Sequence, residues 1–270
     1  MPPYYFLKTK LVMHWGVICR AVPFSKSRPS IYFPPPSTLI GALAYPLLRQ
    51  TGTPEILQKE TFVSSADLLL NFIKSVHLRP RYAYAVKSDI SRVYWVHHAR
   101  REAKSDAVAL EKVYTFPIPS VEYPEMDVIF LVDASFAERS LGSDWREKLV
   151  SACWSIVRVG QKECIVSAEN VKMQEAQEIG CDCIEISYYA PLEAIKRIMP
   201  EDETEYQIIE YYNPWLSGIG DYAGAHRTSY IIPFSEKKLT PTVVKAEVSE
   251  DGVVFSDGED VIVTCRRWLI

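Results

Sequence analysis

The stretch Tyr32-Phe33-Pro34-Pro35-Pro36-Ser37-Thr38-Leu39-Ile40-Gly41-Ala42-Leu43-Ala44 decides how the first half of the chain is organised. The prolines hold the backbone extended, because each fixes its own φ and keeps the preceding residue out of the helical region. Ser37 or Thr38 is then expected to cap a helix that begins at Leu39. The first-turn amides of Leu39 and Ile40, with the two hydroxyls, form a candidate phosphate-binding site. A capped helix that only packs in the core is the alternative.

The composition favours a globular protein with one large or two small domains. The chain has 270 residues, of which 48% are hydrophobic, enough to bury a core. The start lacks a signal-peptide pattern and no apolar stretch is long enough to cross a bilayer, so we expect a cytoplasmic protein without a membrane partner. Six cysteines without regular spacing favour a reducing compartment. Cys181 and Cys183 are expected to be buried strand thiols, not metal ligands.

The charge is distributed unevenly along the chain. Residues 1–112 hold 16 Lys and Arg against 7 Asp and Glu, a net +9, whereas residues 113–270 hold 14 against 27, a net −13. This asymmetry indicates a polyanion near the first half and protein neighbours or solvent near the second. Two solvated faces are the alternative.

Hydrophobic periodicity predicts an α+β chain. The first 175 residues give the order strand, helix, strands, strand, helix, strand, which is that of a ferredoxin-like fold and of the RNA recognition motif. The strands are expected at Tyr4 to Ala21, Phe72 to Val86, Ser91 to His98, Met126 to Val132 and Cys164 to Val171. Pro46 is expected to kink or end the first helix, and Asp144 to cap the second through a capping box with Glu147.

The rest of the chain is predicted to be rich in β-structure. A strand over Cys183 to Tyr189 and a short helix over Leu192 to Met199 are expected. Val243 to Cys265 predicts a meander with Asp-Gly turns. We therefore divide the chain into a domain over 1–175 and a β-rich region over 176–270.

The basic segment His97 to Asp106 lies between two apolar runs. A strand, a basic tip and a returning strand predict a projecting hairpin. Arginine and histidine side chains at such a tip can pair with phosphates or stack on bases. A solvated loop is the alternative.

The segment Arg158-Val159-Gly160-Gln161-Lys162-Glu163 is expected to end the second helix at its glycine. Gly160 allows the backbone to approach a ligand closely, and Arg158 and Lys162 flank it, so the segment is a candidate phosphate cradle. A simple helix terminus is the alternative.

The sequence shows no pattern typical of catalysis. None of the five histidines stands in a nucleophile-base pattern or a metal-spaced pair, and there is no phosphate-binding glycine loop of a nucleotide enzyme. We therefore expect no catalytic residue, no metal and no cofactor. Metal-independent RNA cleavage with a histidine as general acid or base is the alternative.

Two separated segments carry a resemblance to a known family. Pro35 to Ala44, after a long first strand, is similar to the N-terminal signature of the fifth CRISPR-associated protein family, in its archaeal type I-A form. Arg158 to Glu163, followed by Cys164-Ile165-Val166-Ser167, resembles the arginine-glycine-lysine-glutamate segment of the same family. The two motifs span about the first 170 residues.

The resemblance implies an RNA-recognition-like fold of the RAMP superfamily, with a projecting thumb that corresponds here to Val96 to Lys112. Such a protein binds the 5′ handle of CRISPR RNA (crRNA) and caps one end of a type I Cascade complex in antiviral defence. Its partners are the backbone-forming subunit and the large subunit, and it meets target DNA only through the complex. Most subtypes do not cleave RNA. One does, so an endoribonuclease that processes CRISPR repeat RNA is the alternative.

The expected RNA-binding residues combine the basic positions with both motifs. Handle phosphates would be held by basic side chains and a glycine turn, assisted by two hydroxyls, and the hairpin tip would wedge against the RNA. These residues are Arg20, Lys26, Arg28, Ser37, Thr38, His97, His98, Arg100, Arg101, Lys104, Arg158, Gly160 and Lys162. The acidic second half departs from this pattern and is expected to face protein subunits or solvent.

Overall fold

The structure is a computed structural model, and it describes residues 3–14, 16–20, 30–57, 63–81, 84–115, 125–161, 164–199, 205–220 and 224–270. At residues 20, 30, 57, 84–95, 97, 98 and 105–115 only the backbone is described. Within these residues, no helix is both long enough and apolar enough to cross a bilayer.

The chain is a mixture of helices and strands, as predicted. The helices are α1 (Pro36–Thr51), α2 (Ala134–Leu141), α3 (Trp145–Trp154) and α4 (Pro214–Ser217). The strands are β1 (Tyr4–Met13), β2 (Cys19–Arg20), β3 (Ser30–Ile31), β4 (Ile56–Leu57), β5 (Val63–Ser64), β6 (Ile73–Pro80), β7 (Tyr84–His97), β8 (Glu102–Thr115), β9 (Glu125–Asp133), β10 (Val166–Ile179), β11 (Cys183–Ile186), β12 (Ala190–Pro191), β13 (Ile195–Ile198), β14 (Gln207–Tyr212), β15 (Arg227–Ile232), β16 (Phe234–Ser235), β17 (Thr240–Pro241), β18 (Val244–Val248), β19 (Gly252–Ser256) and β20 (Val261–Cys265).

A six-stranded sheet organises the molecule, with the strand order β20-β19-β10-β1-β9-β6. Every neighbouring pair in it is antiparallel. Helix α1 lies in the connection from β1 to β6, and α2 and α3 lie in the connection from β9 to β10. The sequence prediction did not include α2. The central position of β1 explains why this strand carries so many buried apolar residues.

The two faces of β1 pack against different layers, because successive side chains of a strand alternate. Leu7 and Leu11 belong to the main core, which also contains the buried residues of α1 and α3. Tyr4 and Phe6 belong to a second, smaller core with residues of β19 and β20. The Tyr4 ring contacts that of Phe255 edge to face, with centroids 5.0 Å apart.

The C-terminal strands are present but do not form the predicted meander. β19 pairs with β20 and extends the main sheet through β10, whereas β18 pairs with β11 and β13 in another sheet. The predicted helix over Leu192 to Met199 is wrong: one 3₁₀ turn at Leu192–Ala194 leads directly into β13. Residue 175 lies inside β10. The division into 1–175 and 176–270 stays a prediction.

The predicted hairpin is present, with a shorter tip than expected. β7 pairs with β8 from Tyr84 opposite Thr115 to His97 opposite Glu102. Only His98 to Arg101 lie between the two strands, and Arg101 has φ +51°. Most of the segment His97 to Asp106 is therefore strand, because the ladder continues almost to the turn.

Two local predictions about helix ends differ from the structure. Helix α1 does not end at Pro46, one of the two predicted outcomes, but runs to Thr51, because Leu43, Leu47 and Leu48 are buried on both sides of the proline and hold the helix on the sheet. Asp144 precedes α3 without a side-chain cap, since its carboxylate binds the Lys148 ammonium at 2.8 Å instead.

The cysteine prediction is also incorrect in part. Cys181 and Cys183 are exposed, because they lie where β10 leaves the core and β11 begins, while Cys19, Cys153, Cys164 and Cys265 are buried.

Candidate functional site

One surface cavity brings together the two segments that the sequence singled out. It has a volume of about 1020 Å³. The start of α1 forms one wall, and the segment after α3 forms the other. The lining residues are Ile18, Cys19, Pro35, Ser37, Thr38, Gly41, Ala42, Tyr45, Pro46, Ser155, Val157, Arg158, Gly160, Gln161, Ile165 and Tyr212. Four predicted site residues, Ser37, Thr38, Arg158 and Gly160, therefore share one concave surface although they are far apart in sequence.

The start of α1 differs from its predicted form. The N-cap is Pro35, Pro36 is the first helical residue, and no side chain caps the helix. The Leu39 amide donates to Pro35 O at 3.2 Å, so it is not free for an anion, and the Ile40 amide lies inside the helix. The two prolines have no N–H. In the described chain, the Ser37 amide is thus the first-turn donor without an intrahelical acceptor.

The two hydroxyls of this turn have different surroundings. Thr38 forms a side-chain hydrogen bond with Cys19, a fully buried thiol whose pKa is raised chiefly by burial. No partner of the Ser37 hydroxyl lies among the described residues. Ser37 therefore has a hydroxyl and an amide that a ligand can bind. The Thr38 side chain instead binds Cys19, another residue that lines the cavity.

Buried tyrosines hold the segment that leads into α1. Tyr211, on β14, donates to Phe33 O at 3.2 Å, and Tyr189 donates to Pro34 O at 3.5 Å. Burial raises the pKa of both phenols well above the ordinary value. Both hydroxyls are therefore protonated donors that fix the position of the proline run.

The glycine turn is not the end of a helix, because α3 ends at Trp154. Arg158 and Ile165 form an isolated antiparallel bridge, and the Val159 amide donates to Cys164 O at 3.1 Å. Gly160 has φ +92°, and a Cβ at this position would stand 2.7 Å from Ile18 O. The absence of a side chain at Gly160 therefore lets this turn lie close to the backbone carbonyl of Ile18, after β1. Arg158 is exposed at this turn, and Lys162 and Glu163 lie outside the described residues.

Sequence reasoning missed several side chains of the cavity. Tyr45 is 47% exposed, and the Arg49 guanidinium lies 5.9 Å from its ring centroid. Tyr45 follows Gly41 by four residues, so it lies on the same helix face, and this spacing was a usable signal. Val157 and Ile165 are 60% and 49% exposed. The rim of the cavity is thus aromatic and apolar, with arginines beside it.

The remaining predicted residues do not line this cavity in the described part of the chain. Arg100 and Arg101 are exposed at the hairpin tip, and Lys104 is exposed near Glu102, 3.9 Å away. Only the backbone of Arg20, His97 and His98 is described, and Lys26 and Arg28 lie outside the described residues.

The described histidines are not among the residues that line the cavity, although the His14 amide donates to the carbonyl oxygen of Ile165, a lining residue, at 3.2 Å. His77 is fully buried between Tyr189 O and Ser75 Oγ, each 2.9 Å from a ring nitrogen, and burial lowers its pKa to about 4. His14 is exposed and contacts Ser167 Oγ at 2.8 Å. His77 is therefore a structural histidine.

The fold is similar to that of a CRISPR protein of known structure. The structure matches the crystal structure of a CRISPR protein from Archaeoglobus fulgidus with a TM-score of 0.62, over 97% of this chain and 99% of that chain, at 18% sequence identity. No protein-family model matches the chain.

Two curated relatives from Saccharolobus solfataricus define the similarity further. They are CRISPR system aCascade subunit Cas5 1 and CRISPR-associated protein Cas5 3. Each is 28% identical to this chain in an alignment of 259 positions that covers 93% of this chain and 99% of the relative. The resemblance to the fifth CRISPR-associated family is thus confirmed, and it extends over the C-terminal region that the two motifs do not reach.

Proposed function

We propose that this chain is a non-catalytic subunit of a type I Cascade surveillance complex that binds the 5′ handle of crRNA. One observation carries the proposal: Ser37, Arg158 and Gly160, from two motifs more than a hundred residues apart in sequence, line a single cavity. The similarity to an aCascade subunit over 93% of the chain supports its place in such a complex.

The architecture supports the same proposal. The order of β1, β6, β9 and β10, with one helical connection after β1 and another after β9, supports the assignment of this sheet to a ferredoxin-like RAMP domain. The hairpin β7–β8 contains the segment Val96 to Lys112, which we propose as the thumb. The partners would be crRNA, the backbone-forming subunit and the large subunit, in the cytoplasm, and target DNA would be reached through the complex.

The cavity offers the groups that a single RNA strand requires. Arg158 supplies a cation for a phosphate, Ser37 supplies an amide and a hydroxyl, and Tyr45 supplies an exposed ring for base stacking. RNA bound there would be positioned by its backbone and its unstacked bases. Lys26, Arg28 and Lys162 remain proposed phosphate ligands from the sequence alone.

Handle binding is tested by fluorescence anisotropy with a labelled handle oligonucleotide. We expect Arg158→Ala to weaken binding by about tenfold, since hydrogen bonds to charged groups contribute about 1.5–3 kcal/mol, and to flatten the log-log salt slope by about 0.7. Arg139→Ala, an exposed arginine on α2, is the matched control and leaves both unchanged. Equal effects of the two variants would exclude the cavity as the handle site.

The same protein, incubated with end-labelled repeat RNA without metal, distinguishes the endoribonuclease alternative. Binding without cleavage agrees with the architectural function. Cleavage at a single position, abolished by His97→Ala or His98→Ala, would make the chain a processing enzyme.

A further inference from the structure

The main sheet carries a second group of cations, on the face opposite α1. Lys8 and Lys10 lie on β1, on the side shared with Tyr4 and Phe6. Together with residues of β6, β10 and the segment after β6 they line a cavity of about 290 Å³. Its five cations are Lys8, Lys10, Arg79, Arg81 and Lys172. A positively charged groove can follow the backbone phosphates of single-stranded nucleic acid.

An acidic turn of the same chain, Asp257 to Asp260, occupies one end of this groove. The Lys8 ammonium lies 2.7 Å from Asp257, 3.1 Å from Glu259 and 2.8 Å from Asp260. The three carboxylates lie close enough together to hold a cation. That cation is the Lys8 ammonium itself, which removes the reason to place a metal there.

Further ion pairs between carboxylates and arginines lie along the groove. Arg79 lies 3.3 Å from Asp260 and 2.7 Å from Asp127, and Arg81 lies 2.6 Å from Asp127. Carboxylates of the acidic second half thus neutralise cations of the basic first half. The expectation that the two halves face different partners is wrong for this surface, because β19 and β20 fold back onto the sheet.

Hydrogen bonds within this chain hold the acidic turn in one conformation. One carboxylate oxygen of Asp257 accepts the amides of Glu259 and Asp260, at 3.0 and 2.8 Å. Gly258 has φ +91°, and Tyr188 donates to Asp260 at 3.0 Å. The carboxylates are therefore held in place toward the cations, as a row of phosphates would be.

We infer that this cationic sheet face is a latent surface for single-stranded RNA, which the acidic turn Asp257 to Asp260 occupies as an internal polyanion. The turn excludes RNA of arbitrary sequence from the sheet. The cavity at α1 then remains as the place where RNA binds. This consequence rests on the proposed function. Arg81 and Lys172 form the outer, solvent-accessible part of the surface, and beside them Lys10 is 23% exposed and pairs with Glu125 at 2.8 Å.

The test uses the full chain and fluorescein-labelled oligo(U) of about 15 nucleotides, which contains no handle sequence. The triple variant D257N/E259Q/D260N is expected to bind it about tenfold more tightly at low salt, with a log-log salt slope steeper by about 0.7 for each new phosphate contact. Adding K172A to the triple variant should remove part of the gain, because Lys172 lies on this surface. Unchanged affinity and slope in the folded triple variant would overturn the inference.

A second variant keeps the test decisive if the triple variant misfolds. Glu259 is 61% exposed and its ion-pair partner is Lys8, so E259K leaves Asp257 and Asp260 in place. The matched control is E185K, because Glu185 is 64% exposed and pairs with Lys245 at 3.5 Å. E259K should raise oligo(U) affinity about threefold more than E185K, and equal affinities would mean that the turn acts only as a structural clamp. This test needs no handle binding, so its failure is distinct from that of the Arg158 experiment.

Discussion

The buried hydroxyl of Tyr211 donates a hydrogen bond to the carbonyl oxygen of Phe33, 3.2 Å away and 178 residues earlier in the chain. Phe33 immediately precedes three prolines, which have no N–H of their own to pair locally. The C-terminal half of the protein therefore holds the entry to α1, and with it one wall of the candidate site.

Tyr211→Phe removes this donor and leaves Phe33 O buried without its partner. We expect the free energy of unfolding to fall by about 1–3 kcal/mol, which urea titration measures. Tyr212→Phe, at the next and less buried position, is the control and should stay within about 0.5 kcal/mol of the unmodified chain. Equal losses for the two variants would contradict this role for Tyr211.

Gly160→Ala should destabilise the chain more than Gly142→Ala. Both glycines have φ +92°, so an alanine is strained at either position, by about 1–3 kcal/mol. A Cβ at 160 meets Ile18 O at 2.7 Å, whereas at 142 the nearest atom is a side-chain oxygen of Asp144 at 3.3 Å, which can move. The difference between the urea midpoints of the two variants measures the effect of the contact between residue 160 and Ile18 O. Identical midpoints would argue against that effect.

His77 should make stability depend on pH. Its pKa in the folded protein is about 4, below the ordinary 6.5, because it is fully buried. The unfolded chain therefore takes up the proton first, and the stabilisation present above pH 6.5 is lost as the pH falls toward 4. We expect a loss of about 1 kcal/mol between pH 7.5 and 5.5, measured by urea titration. His77→Gln should be less stable at pH 7.5 and should not show this loss.

The hairpin tip gives a separate prediction about RNA. If Arg100, Arg101 and Lys104 touch phosphates, replacing all three by alanine flattens the log-log salt slope of handle binding by about 0.7 for each contact. The control replaces three exposed basic residues of another sheet, Lys196, Arg197 and Lys245, and should leave the slope unchanged. An unchanged slope in the tip variant would count against RNA contact there.

Much of the fold could be predicted because it follows from local patterns. The apolar run Met126 to Val132 is the interior of β9, and the polar segment around Arg100 is the turn of a hairpin. The errors occur where a distant contact outweighs a local preference. Helix α1 continues through Pro46 because its leucines are buried, and Asp144 binds Lys148 instead of capping α3.

The candidate site was predictable in its parts. The sequence identified Ser37, Thr38, Arg158 and Gly160, and the structure places all four at one cavity. It did not identify Tyr212, which reaches the cavity from β14. Nothing near Tyr212 in the sequence indicates this position, because strand pairing and not sequence spacing brings β14 there.

By itself, the sequence determined the mixed α/β class, the hairpin and the two motifs, since alternation, prolines and glycines restrict the backbone locally. Only the tertiary structure decided which residues are partners. Tyr211 reaches Phe33, Gly160 packs against Ile18, and the acidic turn at Asp257 pairs with Lys8. These contacts join segments far apart in the chain, and their geometry depends on the strand order and register of the sheets, which no local pattern specifies.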